Sequence, residues 1–451
     1  MARNSEVADL PLDVIGNFPI EWERSTLGKS CALVTDGTHD SPKESTTGFP
    51  LVTGKCITGG RVNLKAAYLI SEQDHLAVVA RSRPEVGDIL FANIGNSIGE
   101  LARVETSEEF SIKNVALFKP SKKLDGGYLK YYLLSPAVQS YIRGTTFGSA
   151  QPFIGLGTLR AFPIPLPKPD EQRAIAHILG TLDDKIELNR RMNETLEAIA
   201  RAIFKSWFVD FDPVRAKASG EPPESICRRL GLTPDLLALF PDRLVDSELG
   251  EIPEGWNLGN YGNIVSQRTE RVENEKADVL SAVASGDLVR SEEQFTKRVY
   301  SKEINKYLAV EQWDFAYNPS RINIGSIGML EEPTLGAVSP VYVVARPHAA
   351  YRWFLRFHLE LKNTKSWINT LASGSVRQSL SFKDFTSIPS VIPPESISSH
   401  FEEIWLRLRA GIYAYQAEMT SLAEMRDTLL PRLLSGELLV PVENENAEVI
   451  T

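Results

Sequence analysis

The sequence predicts an α+β chain in which two copies of one mixed α/β domain are separated by two long antiparallel coiled-coil helices. Three observations carry this expectation: an internal repeat, a change to heptad periodicity after each copy, and an uneven distribution of charge. With 451 residues, 43% hydrophobic and 24% charged, the chain has globular composition. At about 100 to 200 residues per domain, that length holds two or three domains.

The repeat is read from matched segments. Pro19-Ile20-Glu21-Trp22 with Gly28 returns as Pro253-Glu254-Gly255-Trp256 with Gly262, an offset of 234. Gly87-Asp88-Ile89-Leu90-Phe91-Ala92-Asn93 resembles Trp313-Asp314-Phe315-Ala316-Tyr317-Asn318, an offset of 226 from Asp88 to Asp314. Ser97-Ile98-Gly99 is matched with Ser326-Ile327-Gly328, Gly148-Ser149-Ala150-Gln151 with Gly374-Ser375-Val376-Arg377, and Phe162-Pro163 with Ile388-Pro389. Matches in one order at nearly constant offset indicate a duplicated domain.

Taken in order, residues 1–167 form the first domain. Its short runs bounded by Gly, Pro and Asn, such as Asp88 to Ala92 and Asn114 to Phe118, read as strands. Tyr128 to Leu134, with aromatics and leucines at helical spacing, reads as a core helix. Over 168–212 the period becomes seven, with Ile175, Leu182, Asn189, Leu196 and Ile203 on one stripe and Asp170 as an acidic cap. Asn189 is the lone polar residue of that stripe, a candidate for setting register. Asp183-Asp184 reads as a solvated face. Residues 213–250 form an acidic linker, 251–394 the second domain with the strand Pro340 to Val344 and the helix Trp353 to Leu359, and 395–440 the second coiled-coil helix. There Phe401, Leu408, Tyr415, Leu422 and Leu429 repeat at seven. An acidic tail spans 441–451.

Net charge is −9, yet residues 19–167 carry 16 basic against 14 acidic side chains and 253–394 carry 16 against 15. The acid is concentrated in 209–252, with 9 acidic against 5 basic, and at the two ends. These acidic pieces read as solvated connectors, so the overall charge does not argue against nucleic acid. No apolar run reaches the roughly 18 residues of a membrane span, and the first residues lack the apolar stretch of a signal peptide. Cys31, Cys56 and Cys227 form no CxxC pair and no HxxxH occurs. A cytoplasmic chain without metal, disulfide or membrane is expected.

Enzyme motifs are missing. Gly28-Lys29-Ser30 has Glu23 where a phosphate-binding loop needs Gly, and Asn318-Pro319-Ser320-Arg321 lacks the aromatic that would stack on a flipped base. No GxSxG elbow is present. What remains are polar residues in glycine-bearing loops of both copies: Asn93, Asn96, Ser97, Lys113, Asn114, Thr145, Ser149 and Gln151, then Asn318, Arg321, Asn323, Ser326, Ser373, Ser375, Arg377 and Gln378. Such side chains offer the donors and acceptors that read base edges, and the same residue types also simply form turns.

Four stretches resemble a known family. They are Pro165-Leu166-Pro167-Lys168-Pro169-Asp170-Glu171-Gln172-Arg173, Lys205-Ser206-Trp207-Phe208-Val209-Asp210-Phe211-Asp212, Asp246-Ser247-Glu248-Leu249-Gly250-Glu251-Ile252-Pro253, and Leu429-Leu430-Pro431-Arg432-Leu433-Leu434-Ser435-Gly436. Together they are similar to the specificity (S) subunit of type I restriction-modification systems, along nearly the whole chain. The resemblance implies two target recognition domains, each reading one half of an interrupted site in double-stranded DNA. It implies helices that dock two methyltransferase (M) subunits, restriction and translocase (R) subunits joining through the assembled complex, and no cofactor or catalysis in this chain. At the second junction, Glu395-Ser396-Ile397-Ser398-Ser399 lacks the Glu171-Gln172-Arg173 pattern. The alternatives are a coiled-coil scaffold without DNA binding and a fused DNA methyltransferase or nuclease.

Overall fold

The computed structural model describes residues 18–145, 152–273, 276–294, 304–372 and 379–440. The chain divides into two compact units, residues 1–190 with 416–451 and residues 191–415. Each of the two long helices, Pro169–Phe208 and Glu395–Leu434, gives one part to each unit.

Each unit is built on a four-stranded antiparallel sheet with one strand order. In the first unit the order is Leu33–Asp36, Ala116–Lys119, Ile89–Phe91, Leu101–Arg103. In the second it is Val265–Arg268, Val343–Pro347, Phe315–Tyr317, Ile327–Met329. A separate strand pair recurs as well: Glu23–Thr26 with Pro163–Leu166, and Asn257–Asn260 with Pro389–Ile392. The strands read as apolar runs because both sheet faces are covered. Ile89 and Phe91 enter one core cluster and Leu90 another; Phe315 and Tyr317 likewise part from Ala316.

The ladders test the repeat residue by residue. Pairing of Glu23 with Leu166 and of Asn257 with Ile392 supports the 234 and 226 offsets at the two ends. The Ser97-Ile98-Gly99 match fails: Leu101 pairs with Phe91 as Ile327 pairs with Tyr317, so Ile327 corresponds to Leu101. A three-residue identity was too short to define register. Asn93 and Asn318 are not counterparts either. The Asn93 carbonyl accepts from the Ile154 amide at 2.8 Å, and the equivalent bond runs to the Pro319 carbonyl from Leu380 at 3.2 Å. The Gly148 match lies outside the described residues.

A duplicated ion pair underlies each sheet. Lys119 reaches Asp88 at 2.7 Å and Glu85 at 2.8 Å; Arg346 reaches Asp314 at 2.7 Å and Glu311 at 2.8 Å. In both copies the aspartate also accepts from the backbone amide three residues before it, at 2.8 Å. The second copy adds Arg268, 3.1 Å from Asp314 and 3.0 Å from Glu311. Hydrogen bonds from Arg268 and Arg346 pull the Glu311 carboxyl down to about 2.

The long helices pack antiparallel within each unit, since contacts that advance on one helix retreat on the other: Asp183 meets Arg426 and Asn189 meets Glu418. Asn189 is buried and its Nδ2 donates to Glu418 Oε2 at 2.8 Å. In the second unit Phe204 stacks on Phe357 at 5.4 Å and meets Phe401 edge-on. The first helix starts at Pro169, so Asp170 stands in its first turn beside Arg173 rather than at its cap; proline is preorganised for that first position. Gln172 is buried and joins helix to domain, accepting from the Asp125 amide at 2.9 Å and donating to the Lys123 and Pro167 carbonyls at 2.9 Å. At the same 226 offset stands Ser398, whose buried hydroxyl has no partner among the described residues.

Two expectations are corrected. Asp183 is not a solvated face: it accepts from Tyr131 Oη at 2.7 Å and pairs with Lys130 at 3.1 Å and Arg426 at 2.9 Å. Burial works against its ionisation, and these three groups outweigh it, holding the carboxyl below its ordinary range. The acidic segment 213–250 is no solvated connector. It folds into the helices Asp212–Ala218, Pro223–Leu230 and Pro234–Ala238, with Val214, Ile226, Leu237 and Phe240 in the core. Its acid lies outside and its apolar residues inside, a division that composition averages away.

Half-buried His358 contacts Tyr261 Oη at 2.8 Å, Thr364 Oγ1 at 3.1 Å and Ser390 Oγ at 3.3 Å. Burial lowers its pKa to about 4. Below pH 6.5 the unfolded chain therefore binds the extra proton, so the stability contributed by neutral His358 is present above that pH and is lost as pH falls toward 4. We expect the second unit to lose about 2 kcal/mol between pH 7 and pH 5 from this group. Urea midpoints at the two pH values, for wild type and His358→Gln, measure it; equal slopes would remove His358 as the cause.

Candidate nucleic-acid interface

Strand direction gathers the candidate loops. In the first unit Asp36 pairs with Ala116, Ala116 with Phe91, and Phe91 with Leu101. The segments after Asp36, before Ala116, after Phe91 and before Leu101 thus share one rim of the sheet. The second unit repeats this, so residues 318–326 and 339–342 share a rim.

On the first rim, Gly37 lies so close to Ile112 that an added Cβ would fall 2.0 Å from its carbonyl oxygen. That approach brings 38–41 alongside Lys113 and Asn114. Lys113 Nζ donates to Ser41 Oγ at 2.5 Å. Asn114, at φ 53, places its Oδ1 3.0 Å from His39 Nδ1, while His39 Nε2 stands 3.1 Å from Asp36 Oδ2. Asn96 is exposed and Ser97 half-buried in the single turn Gly95–Ser97. Asn93 offers no edge to a base: it is buried and its Nδ2 donates to the Ile154 carbonyl at 3.1 Å, fixing the rim from beneath.

On the second rim, Arg321 is exposed and its guanidinium has no partner among the described residues. Asn318 Oδ1 accepts from the Ser320 amide at 3.1 Å, a turn bond. Ser326 is buried and donates to the Ala282 carbonyl at 3.3 Å, so its role is local. Asn323 lies in the turn Ile322–Ile324, and Thr145 closes the helix Pro136–Thr145. Ser149, Gln151, Ser373, Ser375, Arg377 and Gln378 lie outside the described residues.

Sequence reasoning missed loop 37–41, although its run of Asp, Gly, Thr and Ser was a visible turn signal. The ladders also set Lys113 and Asn114 opposite Pro340 and Val341, so equivalent rim positions carry different chemistry in the two copies. Among the described residues no group of His, Cys, Asp and Glu is arranged to hold a metal, and no helix is long and apolar enough to cross a membrane.

The chain thus carries one sheet domain twice, each copy followed by a long helix. The family described as type I restriction modification DNA specificity domain matches residues 19–198. The Type I restriction enzyme HindI specificity subunit of Haemophilus influenzae is 26% identical over 435 residues, covering 84% of this chain and 93% of that protein. The MjaIX specificity subunit of Methanocaldococcus jannaschii is 26% identical over 331 residues, 69% of each chain. In fold, the S subunit of a type I restriction-modification system from M. genitalium superposes with a TM-score of 0.54 at 17% identity, covering 94% of this chain and 98% of that one. Residues 19–198 thus match the specificity-domain family, and most of the chain is similar to type I restriction enzyme specificity subunits.

Proposed function

We propose that the chain is the DNA-recognition subunit of a type I restriction-modification complex and is itself non-catalytic. Residues 1–167 and 251–394 each read one half of an interrupted site, and the paired helices dock methyltransferase subunits, through which restriction subunits join. The observation that carries this reading is one sheet used twice, with rims that share geometry and differ in side chains. Duplicated geometry suits two half-sites; divergent side chains suit two different sequences.

Because the recognition domains are nearly neutral, the chain alone lacks the basic footprint of tight binding. Its affinity for DNA should be weak and should rise strongly when methyltransferase subunits supply phosphate contacts. Binding across a salt series, with and without those subunits, measures this. Tight partner-independent binding would contradict it, and methyl transfer from labelled S-adenosylmethionine by the purified chain alone would overturn the non-catalytic assignment.

Arg321 is the leading described candidate for second-half readout. If it reads a base, Arg321→Ala in the assembled complex should lose about 1 to 3 kcal/mol of discrimination at one position of the second half-site. If it touches phosphate, all sequences weaken together and the salt slope falls by about 1. A panel of single-base changes in both half-sites distinguishes these outcomes. Altered preference in the first half, or no change anywhere, would remove Arg321 from the interface.

A further inference from the structure

Large apolar side chains stand exposed on both rims: Phe153 at 65% exposure in the first unit, Ile324 at 67% and Val341 at 64% in the second. A single exposed apolar residue is ordinary on any protein surface. Here they occur on equivalent rims of two domains, among polar loops, and the backbone holds them there.

Phe153 forms a β-bridge with Ile94. On either side of it, Gly95 N donates to the Pro152 carbonyl at 2.9 Å and Ile154 N to the Asn93 carbonyl at 2.8 Å. Ile154 is buried and anchors the segment, so its neighbour points outward. Ile324 ends a turn whose Ile322 is buried. Gly325, at φ +86, closes that turn with a 2.9 Å bond to the Ile322 carbonyl. These bonds fix the backbone from which each side chain projects. Exposed Arg321, three residues from Ile324, supplies a cation beside it.

We infer that Phe153 and Ile324 each pack against the C5-methyl group of a thymine, one in each half-site. The inference rests on the recognition reading above. The thymine methyl is the apolar feature that base pairs present in the major groove, and a side chain with nothing to donate or accept reads it by contact. Each half-site should therefore contain at least one A·T pair in contact with its domain.

The test uses the assembled complex with methyltransferase subunits and its mapped site, each thymine replaced in turn by deoxyuracil, which removes only the methyl. One replacement per half-site should weaken wild-type binding about fourfold, the transfer value of one buried methyl group. Phe153→Ala should weaken binding and abolish the response in the first half only, and Ile324→Ala in the second half only. The unaffected half reports that each variant is folded. If wild type ignores every replacement, or the variants respond to uracil as wild type does, the inference is overturned while recognition stands. A rise in the fluorescence of 2-aminopurine placed beside the contacted step, without methyl dependence, would also overturn it in favour of a wedge. If wild type binds all sequences alike, the recognition reading itself fails.

Discussion

Insertion of seven residues into both long helices, after Arg190 and after Tyr415 where the two units divide, should abolish modification of the native site and create a site with a longer gap. Seven residues add roughly 10 Å of helix, about three base pairs at 3.4 Å each. They also complete nearly two turns, leaving each helix about 20° short of its former phase, so the apolar stripes stay paired. The DNA does not return to phase. Three base pairs turn a duplex of about 10.5 base pairs per turn by roughly 100°, so the new site should bind less tightly than the native one. Methylome mapping of a host carrying the variant reads the result directly. An unchanged gap would show that the helices do not set the spacing.

Replacement of Asp314 by Ala should cost about 3 to 5 kcal/mol, the largest single-residue loss of stability we expect. Asp314 is fully buried, and both Arg268 and Arg346 depend on it, with Arg268 itself only 12% exposed. Removing the carboxylate leaves a buried guanidinium facing only Glu311 and Glu270 at the surface. The equivalent Asp88→Ala should cost less, because Asp88 holds a single cation and burial already raises its pKa. Chemical denaturation of each variant provides the comparison. Equal losses would mean that the added Arg268 contributes nothing.

Much of the molecule was legible before any coordinates. The heptads of Ile175 to Ile203 and of Phe401 to Leu429 mark two long helices because period seven has few other structural uses. The helices at Tyr128 and Trp353, and the strands at Ile89 and Phe315, follow from local apolar runs. The candidate site was legible only as a list of polar loop residues. Asn93 and Arg321 look equally polar in sequence, yet one amide is buried beneath the rim and the other side chain stands free above it. Phe153 and Ile324 were invisible as surface residues, since an apolar side chain in a loop gives no sequence sign of which way it faces.

By itself the sequence determined the duplication, the order of domain and helix, and the resemblance to a family, all of which reside in local pattern or in segments repeated along the chain. Only the tertiary structure decided that loops 37–41, 93–97 and 113–114 share one rim, that Asp183 is held by Lys130, Tyr131 and Arg426, and that the acidic segment 213–250 has an apolar core face. The physical reason is range. Helical and strand periodicity is imposed by neighbours a few residues away, whereas burial, ion pairing and the direction of a loop are set by groups far along the chain, such as Lys113 at Ser41, 72 residues apart, and Arg426 at Asp183, 243 apart.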